Sequence, residues 1–211
     1  MDSTQKRRFA PTRLGGSPRP VYLNNGHCFR QRGTGTTMSH QPEELLATRK
    51  FRVVRHVTAG RDGEPHIKDV VVHPGAVTIL PLLDDGRVCL IKNERIAVGK
   101  TLIELPAGTL EPGEDPAATA HRELIEETGF RADRIEKLCE FYMSPGILSE
   151  RMVLYVAQGL HAGDAALEAG ENIEPLLVSW DEAIRMAMDG SIEDAKTLVG
   201  LLLYDRMRNA R

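Results

Sequence analysis

Residues Gly108–Phe130 read GTLEPGEDPAATAHRELIEETGF, and the reading of the chain turns on them. Asp115 is a good N-cap, Pro116 suits the first helical position, and Gly129 suits the position just past a helix end. The spacing therefore predicts a helix over Asp115–Thr128. Within it Glu123, Glu126 and Glu127 stand at i, i+3 and i+4, so their carboxylates share one face. From Glu104 to Glu127 the acids are Glu104, Glu111, Glu114, Asp115, Glu123, Glu126 and Glu127, against the single base Arg122, a balance of -6. Such crowding costs stability unless cations offset it. Hard divalent ions with oxygen ligands are the natural partners, and the preceding loop LPAGTLEPGE, with Gly108, Pro112 and Gly113, lets backbone carbonyls come close to a metal or phosphate. The other reading of such a cluster is a solvated acidic face. The glycine loop and the complete spacing favour the metal.

Outward from this stretch, short strands dominate. Lys50–Thr58 and Ile67–His73 form an expected hairpin through Asp62-Gly63, and Ala76–Leu83 and Val88–Lys92 a second pair across Asp84-Asp85-Gly86. Further strands are expected at Thr101–Leu105, Leu138–Met143, Met152–Ala157 and Leu176–Ser179. Two helices follow, about Trp180–Asp189 and Glu193–Met207, the first opened by a Ser179/Glu182 capping box and closed by Gly190. Mixed strands with a few helices give an α+β or layered αβα domain.

The central stretch fits the Nudix box, G-x5-E-x7-R-E-U-x-E-E-x-G-U with U a bulky apolar residue. Gly108, Glu114, Arg122, Glu123, Leu124, Glu126, Glu127, Gly129 and Phe130 match all nine defined positions over 23 residues. The chain thus resembles a Nudix hydrolase, a family that cleaves nucleoside diphosphates linked to another moiety. The resemblance implies the Nudix fold, mixed β-sheets sandwiched between helices, with an N-terminal antiparallel β subdomain. It implies two or three Mg2+ or Mn2+ ions held through Glu123 and Glu127 with Glu126 close by, and the Ala107 carbonyl as a backbone ligand. Glu114 and Arg122 are expected to pair and brace the loop.

Pro145, in FYMSPGILSER, lies sixteen residues after Gly129 and resembles the substrate-side proline of the ADP-ribose pyrophosphatase subgroup. The segments from His73 to Gly108 and DGSIEDAKTLVGLLL are similar to the same subgroup, and the resemblance spans roughly residues 45–205. GDP-mannose hydrolases share several of these features. The subgroup implies that Arg95 contacts substrate phosphate or ribose, its alternative being a surface cation. It also implies that Glu171 is the general base, with Glu168 and Glu174 competing. The implied reaction is hydrolysis of ADP-ribose to AMP and ribose 5-phosphate. The alternatives are a GDP-mannose or other nucleotide-sugar hydrolase and a domain that senses ADP-ribose without cleaving it. A homodimer built through residues 50–73 is implied as well.

The remaining candidates carry less. His73 reads as structural, Ser144 and Ser149 lack an activating histidine, and Trp180 reads as core or cap. The sequence singles out no base-recognition residue.

Composition bounds the partners. The 211 residues hold 27 Lys+Arg and 30 Asp+Glu, a net charge of -3 that speaks against a bulk nucleic-acid binder. That near-neutrality divides unevenly. Residues 1–40 hold seven basic residues and one acidic residue, giving +6, and the remainder carries 20 basic and 29 acidic, giving -9. No apolar run is long enough to span a membrane. Cys28, Cys89 and Cys139 are an odd set without metal spacing, as suits a reducing cytoplasm. Residues 1–37, rich in Gly, Pro, Ser, Thr and Arg, read as disordered. They fit a dispensable extension with translation starting at Met38, a solvated tail, or a targeting arm. The expected organisation is an extension over 1–40, a β subdomain over 41–74 and a catalytic domain over 75–211.

Overall fold

The computed structural model describes residues 41–167 and 172–210. The N-terminal extension with Cys28, and Glu168 and Glu171, lie outside the described residues. Three antiparallel strands come first: β1 (Glu43–Ala47), β2 (Arg52–Ala59) and β3 (Pro65–Val72), in the order β1-β2-β3. The β2–β3 hairpin runs in register from Arg52 opposite Val72 to Ala59 opposite Pro65, turning at Asp62-Gly63 as expected. Strand β1 went unforeseen because its sequence, EELLA, is exposed throughout and shows no alternation of buried and open positions.

Strands β4 (Ala76–Pro81) and β5 (Arg87–Arg95) are joined by the expected turn, where the Leu83 amide donates to the Arg87 carbonyl at 2.9 Å. They do not pair as the turn suggested. Only an isolated bridge links Leu82 and Val88, and the strands enter different sheets. The cause is burial: every residue of β4, and Val88–Ile91 of β5, is shut away from solvent. Each strand thus takes a neighbour on both edges, as buried central strands do. Strand β5 lies between β10 (Ile173–Ser179) and β6 (Lys100–Glu104); β4 lies between β7 (Ala107–Thr109) and β9 (Arg151–His161), with β8 (Arg131–Tyr142) beyond β9. The β4–β9 pairing is parallel, so this second sheet is mixed.

Period-two alternation sorts the core. Val77 and Ile79 of β4, with Val153, Tyr155 and Ala157 of β9, pack on Ala120 and Leu124 of helix α1 (Pro116–Thr128). Leu80, Leu154 and Val156 cluster instead with Val88 and Leu90 of the other sheet and with residues of helices α2 (Trp180–Met188) and α3 (Ala195–Arg208). Helix, two sheets and helices stack in layers, the α+β arrangement expected. Trp180 is core and tie at once: it is buried, and its indole N–H donates to Asp205 Oδ1 at 2.9 Å.

Candidate active site

Helix α1 begins and ends where its sequence dictates. The Asp115 side chain accepts the Ala117 amide at 2.6 Å, Pro116 opens the first turn, and Gly129 leaves the helix at φ +74°. A side chain at Gly129 would also meet the Gly163 carbonyl at 2.5 Å, so this position requires glycine twice over. Leu124 and Ala120 face the sheet, which turns Glu123, Glu126 and Glu127 toward the loop before the helix.

That loop reaches the helix through β7. Gly108, paired with Val77 of β4, leaves no room for a side chain: a Cβ there would fall 1.9 Å from the Glu123 carboxylate. Glu127 is buried and its Oε2 accepts the Ala107 amide at 2.8 Å, fixing one carboxylate against the backbone whose carbonyl is the expected ligand. Arg122 compensates the cluster. Its guanidinium meets Glu114 Oε1 at 3.2 Å and Glu123 Oε1 and Glu126 Oε2 at 2.8 Å each. The expected Glu114–Arg122 brace is present, and it extends to two of the three box carboxylates. The same contacts, with the hydrogen bond to Glu114 foremost, raise the Arg122 pKa further and hold Glu114 below the usual carboxylate range. Among the described residues no three Asp, Glu, His or Cys side chains converge as a ready cage, because the carboxylates are spread over Arg122 and the Ala107 amide. The donors are nonetheless all hard oxygens on one wall, the chemistry that Mg2+ or Mn2+ takes.

A cavity of about 920 Å³ opens over this wall, within the range of small-molecule sites. Ala107, Gly108, Arg122, Glu123, Glu126 and Glu127 line one side. Arg95, Asn93 and Asn172 line another, and Thr48–Arg52, the turn from β1 into β2, closes a third. Arg95 is no loose surface cation: its Nε and Nη2 each donate to Glu104 at 2.7 Å. Asn172, beside Glu171, bonds Glu94 Oε2 at 3.1 Å. Glu174 is exposed on β10 and lies 3.8 Å from Lys92. Pro145 sits in the turn after β8, where the Ser144 carbonyl accepts the Ile147 and Leu148 amides, and it is not part of the cavity wall.

His73 lines the cavity as well and is held by hydrogen bonds. Its Nδ1 accepts the Gly75 amide at 3.1 Å, and its own amide donates to Ser149 Oγ at 3.0 Å. Burial pushes the Cys89 thiol up to about 12, which leaves it protonated and inert. Two features of the site were not foreseen. The Thr48–Arg52 wall follows from long-range packing, although Thr48 itself marks a turn, accepting the Lys50 and Phe51 amides. The partner of Arg95 lies nine residues away on β6, hidden in the apolar run TLIEL.

Known proteins resemble this chain in sequence and in fold. The NUDIX domain profile matches residues 72–199. The chain is 36% identical over 142 residues to a methanol dehydrogenase activator of Bacillus methanolicus, covering 66% of this chain and 77% of that protein. It is 36% identical over 138 residues to an ADP-ribose pyrophosphatase of Bacillus subtilis, covering 64% and 75%. A GDP-mannose pyrophosphatase of Cronobacter sakazakii is 33% identical over 181 residues, covering 79% and 94%. A solved structure described as an ADP compounds hydrolase superposes with a TM-score of 0.69 at 23% identity, covering 81% of this chain and 96% of that one, a likeness of fold. Since the profile takes in more than half of the chain, the whole box and most of the cavity wall, the chain belongs to the Nudix domain family.

Proposed function

We propose that this protein is a metal-dependent pyrophosphohydrolase that cleaves ADP-ribose to AMP and ribose 5-phosphate. The observation that carries the reading is one cavity lined on one side by Glu123, Glu126 and Glu127 and on another by Arg95. A pyrophosphate repels an attacking water oxygen, and Mg2+ or Mn2+ at Glu123, Glu126, Glu127 and the Ala107 carbonyl, two or three ions in all, would offset that charge. Glu126, whose Oε2 lies 2.8 Å from Arg122, is the helix carboxylate assigned a part in the chemistry beside the metal-holding Glu123 and Glu127. Arg95 orients the phosphates and stabilises charge as the bond breaks. Glu171, next to the cavity residue Asn172, accepts the proton of the attacking water, ahead of Glu174, which the Lys92 contact holds on the strand. Similarity to the Bacillus subtilis ADP-ribose pyrophosphatase supports the substrate.

A second reading, GDP-mannose hydrolysis, is favoured by one fact: the match to the Cronobacter sakazakii GDP-mannose pyrophosphatase runs through 181 residues. Turnover of ADP-ribose, GDP-mannose and dinucleoside polyphosphates, each with and without Mg2+, decides between them. Preferential ADP-ribose cleavage supports the proposal, and preferential GDP-mannose cleavage replaces the substrate. Binding of ADP-ribose without turnover would make the domain a sensor.

The assembly we propose is a homodimer joined through the β1–β2–β3 sheet. Leu45, Leu46, Val57 and Ile67 of that sheet are exposed apolar residues, an unfavourable surface for a monomer. Light scattering on the full chain gives the mass directly. The cytoplasm suits the unpaired Cys89 and Cys139, and among the described residues no helix is long and apolar enough to cross a membrane.

A further inference from the structure

Behind Arg95 lies a chain of charges, buried at Glu104 and Lys196, that the reaction itself does not use. Glu104, 1% exposed, takes both nitrogens of Arg95 on one side. On the other, Lys196, 5% exposed, donates its Nζ to Glu104 Oε2 and, at 2.9 Å, to Asp194 Oδ1. Asp194 is the N-cap of α3, its Oδ2 accepting the Thr197 amide at 3.0 Å. Thr197 Oγ1 then accepts the Leu105 amide at 2.7 Å, which ties the helix start back to the chain next to Glu104. The sequence segment EDAKT, at the head of α3, is thus joined through Glu104 to a residue of the cavity wall.

Burying the Lys196 ammonium and the Glu104 carboxylate is costly, and buried ion pairs are commonly replaceable by apolar residues without loss of stability. Packing alone gives little reason for a lysine here. We propose that Lys196 and Asp194, acting through Glu104, are positioning residues that fix the Arg95 guanidinium toward the substrate's phosphates. With Lys196 in place, the Glu104 charge is shared between two cations, so Arg95 keeps positive potential for a ligand while both its bonded nitrogens are oriented. Without Lys196, the whole charge of Glu104 falls on Arg95 and quenches it. The inference rests on the placement of Arg95 at the phosphates made above.

A double-mutant cycle on the full chain tests it, with calorimetric binding of ADP and ADP-ribose kinetics read in parallel. Lys196→Met should raise the Kd for ADP and the KM for ADP-ribose about five- to tenfold, and lower kcat as well because Arg95 also stabilises charge as the bond breaks. In an Arg95→Ala background the same substitution should add nothing. Equal losses in both backgrounds would mean that Lys196 only supports the fold, and would overturn the proposal. Failure of the wild-type chain to bind ADP would overturn it too. Normal ADP binding with the expected coupling, but no ADP-ribose turnover, would refute the substrate reading and leave the positioning role intact. If Lys196→Met does not fold, Lys196→Gln takes its place: it keeps a hydrogen-bond donor toward Glu104 while removing the charge that shares it, and should weaken ADP binding only when Arg95 is present.

Discussion

Glu127 is buried, and one of its oxygens is committed to the Ala107 amide. A glutamine there keeps a carbonyl oxygen for that hydrogen bond and removes the negative charge. Glu127→Gln should therefore lower kcat by on the order of a hundredfold or more, as expected when a preorganised charge is removed from a reacting pyrophosphate. Its melting temperature should hold or rise, because one of several crowded negative charges is gone. Calorimetric melting beside turnover at saturating Mg2+ checks both halves, and near-normal turnover would mean that Glu127 holds no metal. The same crowding explains why Arg122 contacts three carboxylates rather than only the Glu114 that the family resemblance implied. A single guanidinium is the nearest counter-charge to all of them.

Helix α1 was legible to within a residue because its signals are local. Asp115, Pro116 and Gly129 act within a few positions of one another, and the glutamate spacing follows from the helical repeat. Strand β7 was illegible for the opposite reason. It is three small residues, Ala107–Thr109, whose only claim to be a strand is pairing with β4 some thirty positions earlier. The β4–β5 turn and both strands were read correctly and their pairing was not, since a turn sets chain direction while burial selects the sheet. Lys196 and Glu104 stand 92 positions apart, beyond any local pattern. At this scale the cap is the testable part: Asp115→Ala should cost about 1 kcal/mol and lower the melting temperature by about 2–4 °C, with little change in KM. Loss of activity with an unchanged melting temperature would show that Asp115 works in the site rather than at the helix end.

The fold as a whole should be sensitive to acid through its buried carboxylate. Burial pushes Glu104 upward, but the hydrogen bond from Arg95 and the charge of Lys196 outweigh it and hold the group below its ordinary 4.5. A carboxylate with a depressed folded value binds fewer protons folded than unfolded. Its stabilising contribution is then complete above about 4.5 and is lost as pH falls through the lower folded value. Melting temperature should decline steeply below that point, and the decline should be shallower in Glu104→Gln. Equal slopes would place the acid sensitivity elsewhere.

The parallel pairing of β4 with β9 governs how the molecule comes into being. Ala76 meets Met152, so the central sheet must close a loop of 76 positions before β4 and β9 can join, and such long-range closure is slow. Helix α1 is specified early along the chain, yet half of the surface it rests on, Val153, Tyr155 and Ala157, emerges later. A growing chain therefore carries its acidic helix undocked until β9 has been made, and the carboxylate wall of the cavity is among the last parts to acquire its shape. A chain cut after Glu150 should leave the α1 amides open to rapid hydrogen exchange, while the full chain protects them; protection in the shorter chain would mean that β4 alone suffices to seat the helix.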